Sequence, residues 1–251
     1  MKARKESFGG SNAMRGGVDH TQSLLDDGEF ESFDLEFDMS VVSDPKATLE
    51  GYAEYHERLR QAKRRELYLW DEVDAASVAE LCDMIMAYNR KDKNKSVEER
   101  KPIYLHIFSG GGDVFSGNAL LDLILQSKTP VYTINDGKAF SMAGYLFIAG
   151  HKRFAFEHSV LMLHDGMLSA TGDASKVEDF TDFNKKSRVR DQELVMSCSH
   201  GRMPEDEYKE HARADWYMFA DYAQKRGLVD CIIGKDCELD CVIPTVKEAL
   251  K

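Results

Sequence analysis

No apolar run in the 251-residue sequence approaches the ~20 residues that a membrane span requires. The N-terminal stretch MKARKESFGGSNAMRGG lacks the apolar core of a secretory signal, so export is not expected. An organelle transit peptide fits poorly, because the chain turns acidic at DDGEFESFDLEFD. Basic residues are the minority: 33 Lys and Arg against 44 Asp and Glu leave a net charge of -11. That balance argues against nucleic acid or an anionic membrane as the main partner. Cysteine is scarce and odd in number, at five, which suits a reducing compartment and a cytoplasmic location. Cys231, Cys237 and Cys241 cluster without C-x-x-C spacing, so reduced structural thiols are expected there rather than a metal site. No metal or organic cofactor is implied, and no close internal repeat is visible.

What is present suits a globular protein with a real core: 43% apolar and 10% aromatic residues. Residues 1–40 read as an N-terminal extension, polar and glycine-rich through residue 30 and therefore disordered. Residues 41–251 read as the folded domain. FDLEFDM, from Phe33, alternates apolar and acidic residues at strand period. Asp44-Pro45 is a helix start, with Pro45 in the first turn. ELYLW is a short strand, and DAASVAELCDMIMAYNR carries Val78, Leu81 and Ile85 at helical spacing. Strand PIYLHIF, turn SGGGDVFSG, helix NALLDLILQS, strand PVYTIND and helix SMAGYLFIAG follow. RFAFEH and SVLMLHD are further strands. Strands alternating with helices predict an α/β fold of parallel βα units.

Four stretches could carry chemistry. In FSGGGDVFSG, residues 108–117, three glycines directly follow a strand and let backbone N–H groups approach a bound group. A phosphate cradle is the rival reading. However, no Lys-Ser/Thr follows the glycines, and a G-x-G-x-x-G begun at Gly110 fails at Phe115. An oxyanion or peptide-backbone site, or a plain tight turn, remains. In GKAFSMAGYLFIAG, residues 137–150, Ser141 stands where a helix starts after a strand. It could cap that helix, or it could be a nucleophile held at a strand-to-helix turn, with the Met142 N–H free to donate. His164 ends the apolar strand SVLMLH, and Asp215 precedes the aromatic segment WYMF. Together they supply nucleophile, base, orienting carboxylate and oxyanion donors.

On these residues the chain resembles the proteolytic subunit of the Clp protease, within the crotonase-like superfamily. The resemblance is carried by IYLHIFSGGGDVFSGNALLDLI, TINDGKAFSMAGYLFIAG, KRFAFEHSVLMLHD and DWYMFADYAQKRGLVD, and covers roughly residues 50–235. It implies a serine endopeptidase acting on unfolded protein or peptide. Ser141 would be the nucleophile, His164 the base and Asp215 the third triad member, with the N–H groups of Gly112 and Met142 as the oxyanion hole. It also implies stacked ββα units with a projecting handle helix, and two stacked rings enclosing a chamber. An AAA+ unfoldase is a partner the sequence leaves open, as it does cleavage of the extension as a propeptide. A non-catalytic ring subunit and a crotonase-type acyl-CoA enzyme are the alternatives.

The sequence departs from the family pattern in residues 1–40, which have no counterpart there, and at three further places. Gly110 stands where the family has proline, and Asp165-Gly166 follows the histidine where the family has Gln-Pro. Asp165 thereby puts a second carboxylate beside His164. Phe140 replaces a small residue before the serine and is expected to narrow the substrate groove. Residues 173–200 read as one long helix whose middle, NKKSRVRDQE, holds a single apolar residue. Such a helix buries no full stripe in its own domain, so it is expected to project and meet a partner copy. That matches the handle by which the family's two rings stack, and the resemblance thereby implies a homo-oligomer, a double ring of heptamers.

Overall fold

The computed structural model describes residues 61, 63–166 and 169–243. The extension 1–40, the strand expected from Phe33 and nearly all of the helix begun at Pro45 lie outside the described residues. The chain is α/β, as the sequence predicts, and the first half alternates strand and helix. These elements are β1 (Glu66–Leu69), α1 (Ala75–Lys91), β2 (Ile103–Ser109), α2 (Val114–Gln126), β3 (Val131–Phe140), α3 (Met142–Ile148) and β4 (Lys152–Phe156). The second half holds β5 (Val160–Leu163), α4 (Ala174–Cys198), α5 (Glu205–His211), β6 (Trp216–Phe219), α6 (Ala220–Lys225) and β7 (Cys231–Ile233). No helix among the described residues is long and apolar enough to cross a membrane.

Strands β1, β2, β3, β4 and β7 lie side by side in that order, all parallel. Alternation builds the main core. Ile103, Leu105 and Ile107 of β2 are fully buried, and Val78, Leu81 and Ile85 of α1 join them in one apolar cluster. On the other face of the sheet, Ile134, Phe154, Cys231, Ile233 and Val242 form a second, smaller cluster. Helix α1 starts where Asp74 and Ser77 cap each other, at 2.8 and 3.1 Å.

Three expectations need correction. The turn read over SGGGDVFSG ends sooner, because the Asp113 carboxylate accepts the Ser116 N–H at 2.7 Å and starts α2 at Val114. Strand β3 continues past PVYTIND to Phe140, because its second half gains a new neighbour: Lys138–Phe140 pair with Val160–Met162 of β5. Cys231 and Cys237 are joined as a disulfide rather than free thiols. The chain turns after β7 and returns Cys237 beside Ile233, with the two cysteine Cα atoms 6.5 Å apart.

Helix α4 is largely open to solvent. Of its 25 residues only Val195 is buried. Its C-terminal end is tied down by Arg153 of β4, which is 2% exposed. That guanidinium donates to the Cys198 carbonyl at 2.6 Å and grips both oxygens of Asp230 at 2.6 and 2.8 Å.

Candidate active site

Strand register brings the candidate residues together. β3 and β5 run parallel with Phe140 beside Met162, so both chains leave the sheet at the same end. Ser141 follows β3, its N–H donating to the Met162 carbonyl at 2.9 Å, and His164 follows β5. β6 pairs antiparallel with β5 and sets Trp216 opposite Leu163. The next position outward on each strand is therefore Asp215 facing His164. Residues far apart in sequence meet at the carboxyl end of a parallel sheet, where α/β folds place their sites.

The geometry is that of a relay. The Ser141 Oγ lies 2.7 Å from His164 Nε2, and His164 Nδ1 lies 3.1 Å from Asp215 Oδ1. Ser141 has φ +53° and ψ -126°, a conformation L-residues avoid and one that costs roughly 1–3 kcal/mol. It stands at the cap position of α3, yet its side chain makes no capping hydrogen bond. The hydroxyl faces the imidazole instead. Behind it all seven residues of α3 are buried, and Gly144 lets that helix press onto the sheet, where an added Cβ would sit 2.8 Å from the Met162 carbonyl oxygen. The buried Tyr145 donates its hydroxyl to the His164 carbonyl at 3.1 Å and pins the backbone of the histidine. Burial pushes that phenol well above its usual range, so it stays a donor.

The glycine turn closes over Ser141. Gly111 and Gly112 have φ of +94° and +154°. A Cβ on Gly111 would lie 2.8 Å from Ser141 Cβ and 3.1 Å from the Met142 nitrogen, so only glycine fits there. The loop is held by hydrogen bonds. The Gly111 N–H donates to Ser109 Oγ at 3.1 Å, and Val73 brackets the glycines from β1's side at 2.9 and 2.7 Å. Among the described residues, neither the Gly112 nor the Met142 N–H is given to an acceptor.

The two carboxylates near the imidazole are in different hands. Asp215 faces Nδ1, with the Tyr217 hydroxyl 3.4 Å from its other oxygen. Asp165 is 3.5 Å from the Arg188 guanidinium on α4, and its N–H is held by the Ala212 carbonyl at 2.7 Å. Phe140, expected to narrow the groove, packs edge-on against Tyr217 at 5.5 Å and does not line the cleft.

Ser141, Met142, His164 and the three glycines open into a cleft of about 730 Å³. Its far wall is α4, which presents Phe180, Phe183, Asn184, Ser187 and Asp191 to it, and Phe115 of α2 stacks on Phe183 at 6.2 Å. Sequence reading missed this wall. Its signal was the 180, 183, 184, 187, 191 spacing of a single helix face, hidden within a run of charges. A family model described as Clp protease matches residues 50–236 of the chain.

Proposed function

The chain belongs to the Clp protease family, and from that premise we propose that it is a serine endopeptidase working through Ser141, His164 and Asp215. The observation that carries this reading is the unbroken line from Ser141 Oγ through the imidazole to Asp215, at 2.7 and 3.1 Å. In the proposed reaction the Ser141 oxygen attacks the peptide carbonyl while Nε2 takes the hydroxyl proton. Asp215 at Nδ1 favours the tautomer that leaves Nε2 free to accept it, and stabilises the imidazolium that forms. Negative charge develops on the carbonyl oxygen, and the N–H groups of Gly112 and Met142 receive it. The imidazolium then protonates the departing amine. Water, deprotonated by the same nitrogen, hydrolyses the acyl-serine and regenerates the hydroxyl.

Clp proteases are oligomeric chamber enzymes that work with unfoldases. For this chain we infer a homo-oligomer, a double ring of heptamers, taking unfolded protein or peptide with an AAA+ unfoldase as feeder. The support is α4, which leaves 24 of its 25 residues at least partly open in a single copy. A non-catalytic ring subunit would not need a serine in a strained conformation aimed at a histidine. The test is a fluorophosphonate probe followed by peptide mapping. Labelling of Ser141, abolished in Ser141→Ala, is the expected result; an unlabelled, folded wild-type protein overturns the assignment.

A further inference from the structure

The lining of the cleft is unevenly charged. On one side three aromatic rings form a ladder: Phe115 stacks on Phe183 with planes 15° apart, and Phe183 on Phe180 at 6.4 Å and 12°. At the end of the same helix stripe stands Asp191, half-buried. Among the described residues its carboxylate accepts no hydrogen bond and joins no ion pair. Its charged neighbours are Asp165, which repels it, and Arg188, whose guanidinium lies on Asp165 at 3.5 Å. Of the other lining acids, Glu72 is likewise without a partner among the described residues but exposed to solvent, and Asp165 is held by Arg188. Asp113 is spent capping α2 and Asp71 accepts the Glu72 N–H at 2.9 Å. The one lysine in the lining, Lys138, sits 4.9 Å from the centre of the Phe108 ring.

Asp191 has water for its donor in the open cleft, and a cation that enters can take the place of that water. The group that fits both features is a cation on an apolar stem. Its stem and charge find aromatic faces, and its donors reach a carboxylate. Asp191 lies on the His164 side of the nucleophile, close enough to Tyr145 to raise its phenol further. We propose that Asp191 makes the subsite next to the scissile bond selective for arginine or lysine, seated against the phenylalanine ladder. This rests on the serine endopeptidase reading above and names its substrate class.

The selectivity depends on pH. Burial, with the like charge of Asp165 behind it and Arg188 opposing, pushes the Asp191 carboxyl up to about 6. The buried tyrosines that face it, Tyr145 and Tyr208, stay neutral across that range. Above pH 6 Asp191 is anionic and attracts the cation; below it the carboxyl is neutral and the preference fades.

The test uses two tripeptide aldehydes that differ only in the residue bearing the aldehyde, arginine or leucine, as competitors of fluorophosphonate labelling of Ser141. The arginine aldehyde is expected to protect Ser141 at roughly tenfold lower concentration or better at pH 7.5, the size of one charge pair in a half-buried site. The ratio should fall towards one in Asp191→Asn, and in the wild type at pH 5, a reading that needs no variant to fold. Equal protection or a leucine preference at pH 7.5 overturns the inference while leaving the endopeptidase reading intact. So does a ratio unmoved both by Asp191→Asn and by acid. Absence of any labelling of the folded wild type defeats the endopeptidase reading itself, and this inference with it.

Discussion

Helices α3 and α4 both contribute to the cleft, but they are held by opposite means. All seven residues of α3 are buried, whereas in α4 only Val195 is. The proposed nucleophile, Ser141, therefore sits at the head of an element whose position is over-determined by its own domain, which is what a strained residue requires to persist. The opposite wall rides on a helix that one copy of the chain holds mainly at its C-terminal end, through Arg153 and the Cys198 carbonyl. In the proposed function, the chemistry would be built into the sheet end, and substrate contact would fall to an element that assembly could reposition.

The largest effect expected from this contrast is at Ser141. Ser141→Ala should lower peptidase activity by ~10⁴-fold or more. The thermal midpoint should fall little or rise, since the hydroxyl supports no helix cap. Activity within tenfold of wild type would break the assignment. Next come the two carboxylates, one borne on β6 and one facing α4. Asp215→Asn should reduce kcat by roughly 10²- to 10⁴-fold through loss of the imidazole tautomer. Asp165→Asn should change it less than about tenfold, because that carboxylate is engaged by Arg188. The reverse order would transfer the third triad role to Asp165.

The junction between the two regions is the third place to press. Arg153→Met leaves the partly buried Asp230 without its partner and should cost up to about 3 kcal/mol in denaturant unfolding, less than a fully buried pair would. Burial raises the Asp230 carboxyl, but the hydrogen bonds from Arg153 outweigh it and leave it below the usual range. A depressed native value stabilises the fold above the unfolded pKa, and that contribution is lost as pH falls through the native one. The gap between wild type and Arg153→Met should therefore narrow in acid, below about pH 4. A gap that stays constant from pH 7 to pH 3 would deny this pair its role.

The smallest effect on the single chain should come from the exposed middle of α4. Val189, 55% exposed, is its one apolar residue. Val189→Ser should change domain stability by less than about 0.5 kcal/mol. It should nevertheless weaken assembly, as should high salt if the contacts between copies run through the mixed charges of this helix. Light scattering at low and high ionic strength reads both. A mass of 28.4 kDa at low salt and micromolar concentration would refute the ring.

Local pattern in the sequence was enough to determine the α/β class, the glycine turn after β2, the serine at a helix start, the histidine at a strand end and the long polar helix. Each is a statement about one segment: alternation or helical spacing reports which face is covered, and glycine reports a backbone other residues resist. The early start of α2 was also local, written in Asp113 and Ser116, and was overlooked. What only the tertiary structure decided are relations between segments. β3 runs on to Phe140 because β5 pairs with it there. The β5–β6 register, not any spacing in sequence, sets Asp215 rather than Asp165 at the imidazole. Cys237 meets Cys231 through a turn, and Asp191, one acid within NKKSRVRDQE, faces the cleft only because α4 crosses it. Periodicity records that a side chain is covered or open; which distant residue it then faces depends on strand register and helix placement, and those are settled by packing the whole domain at once.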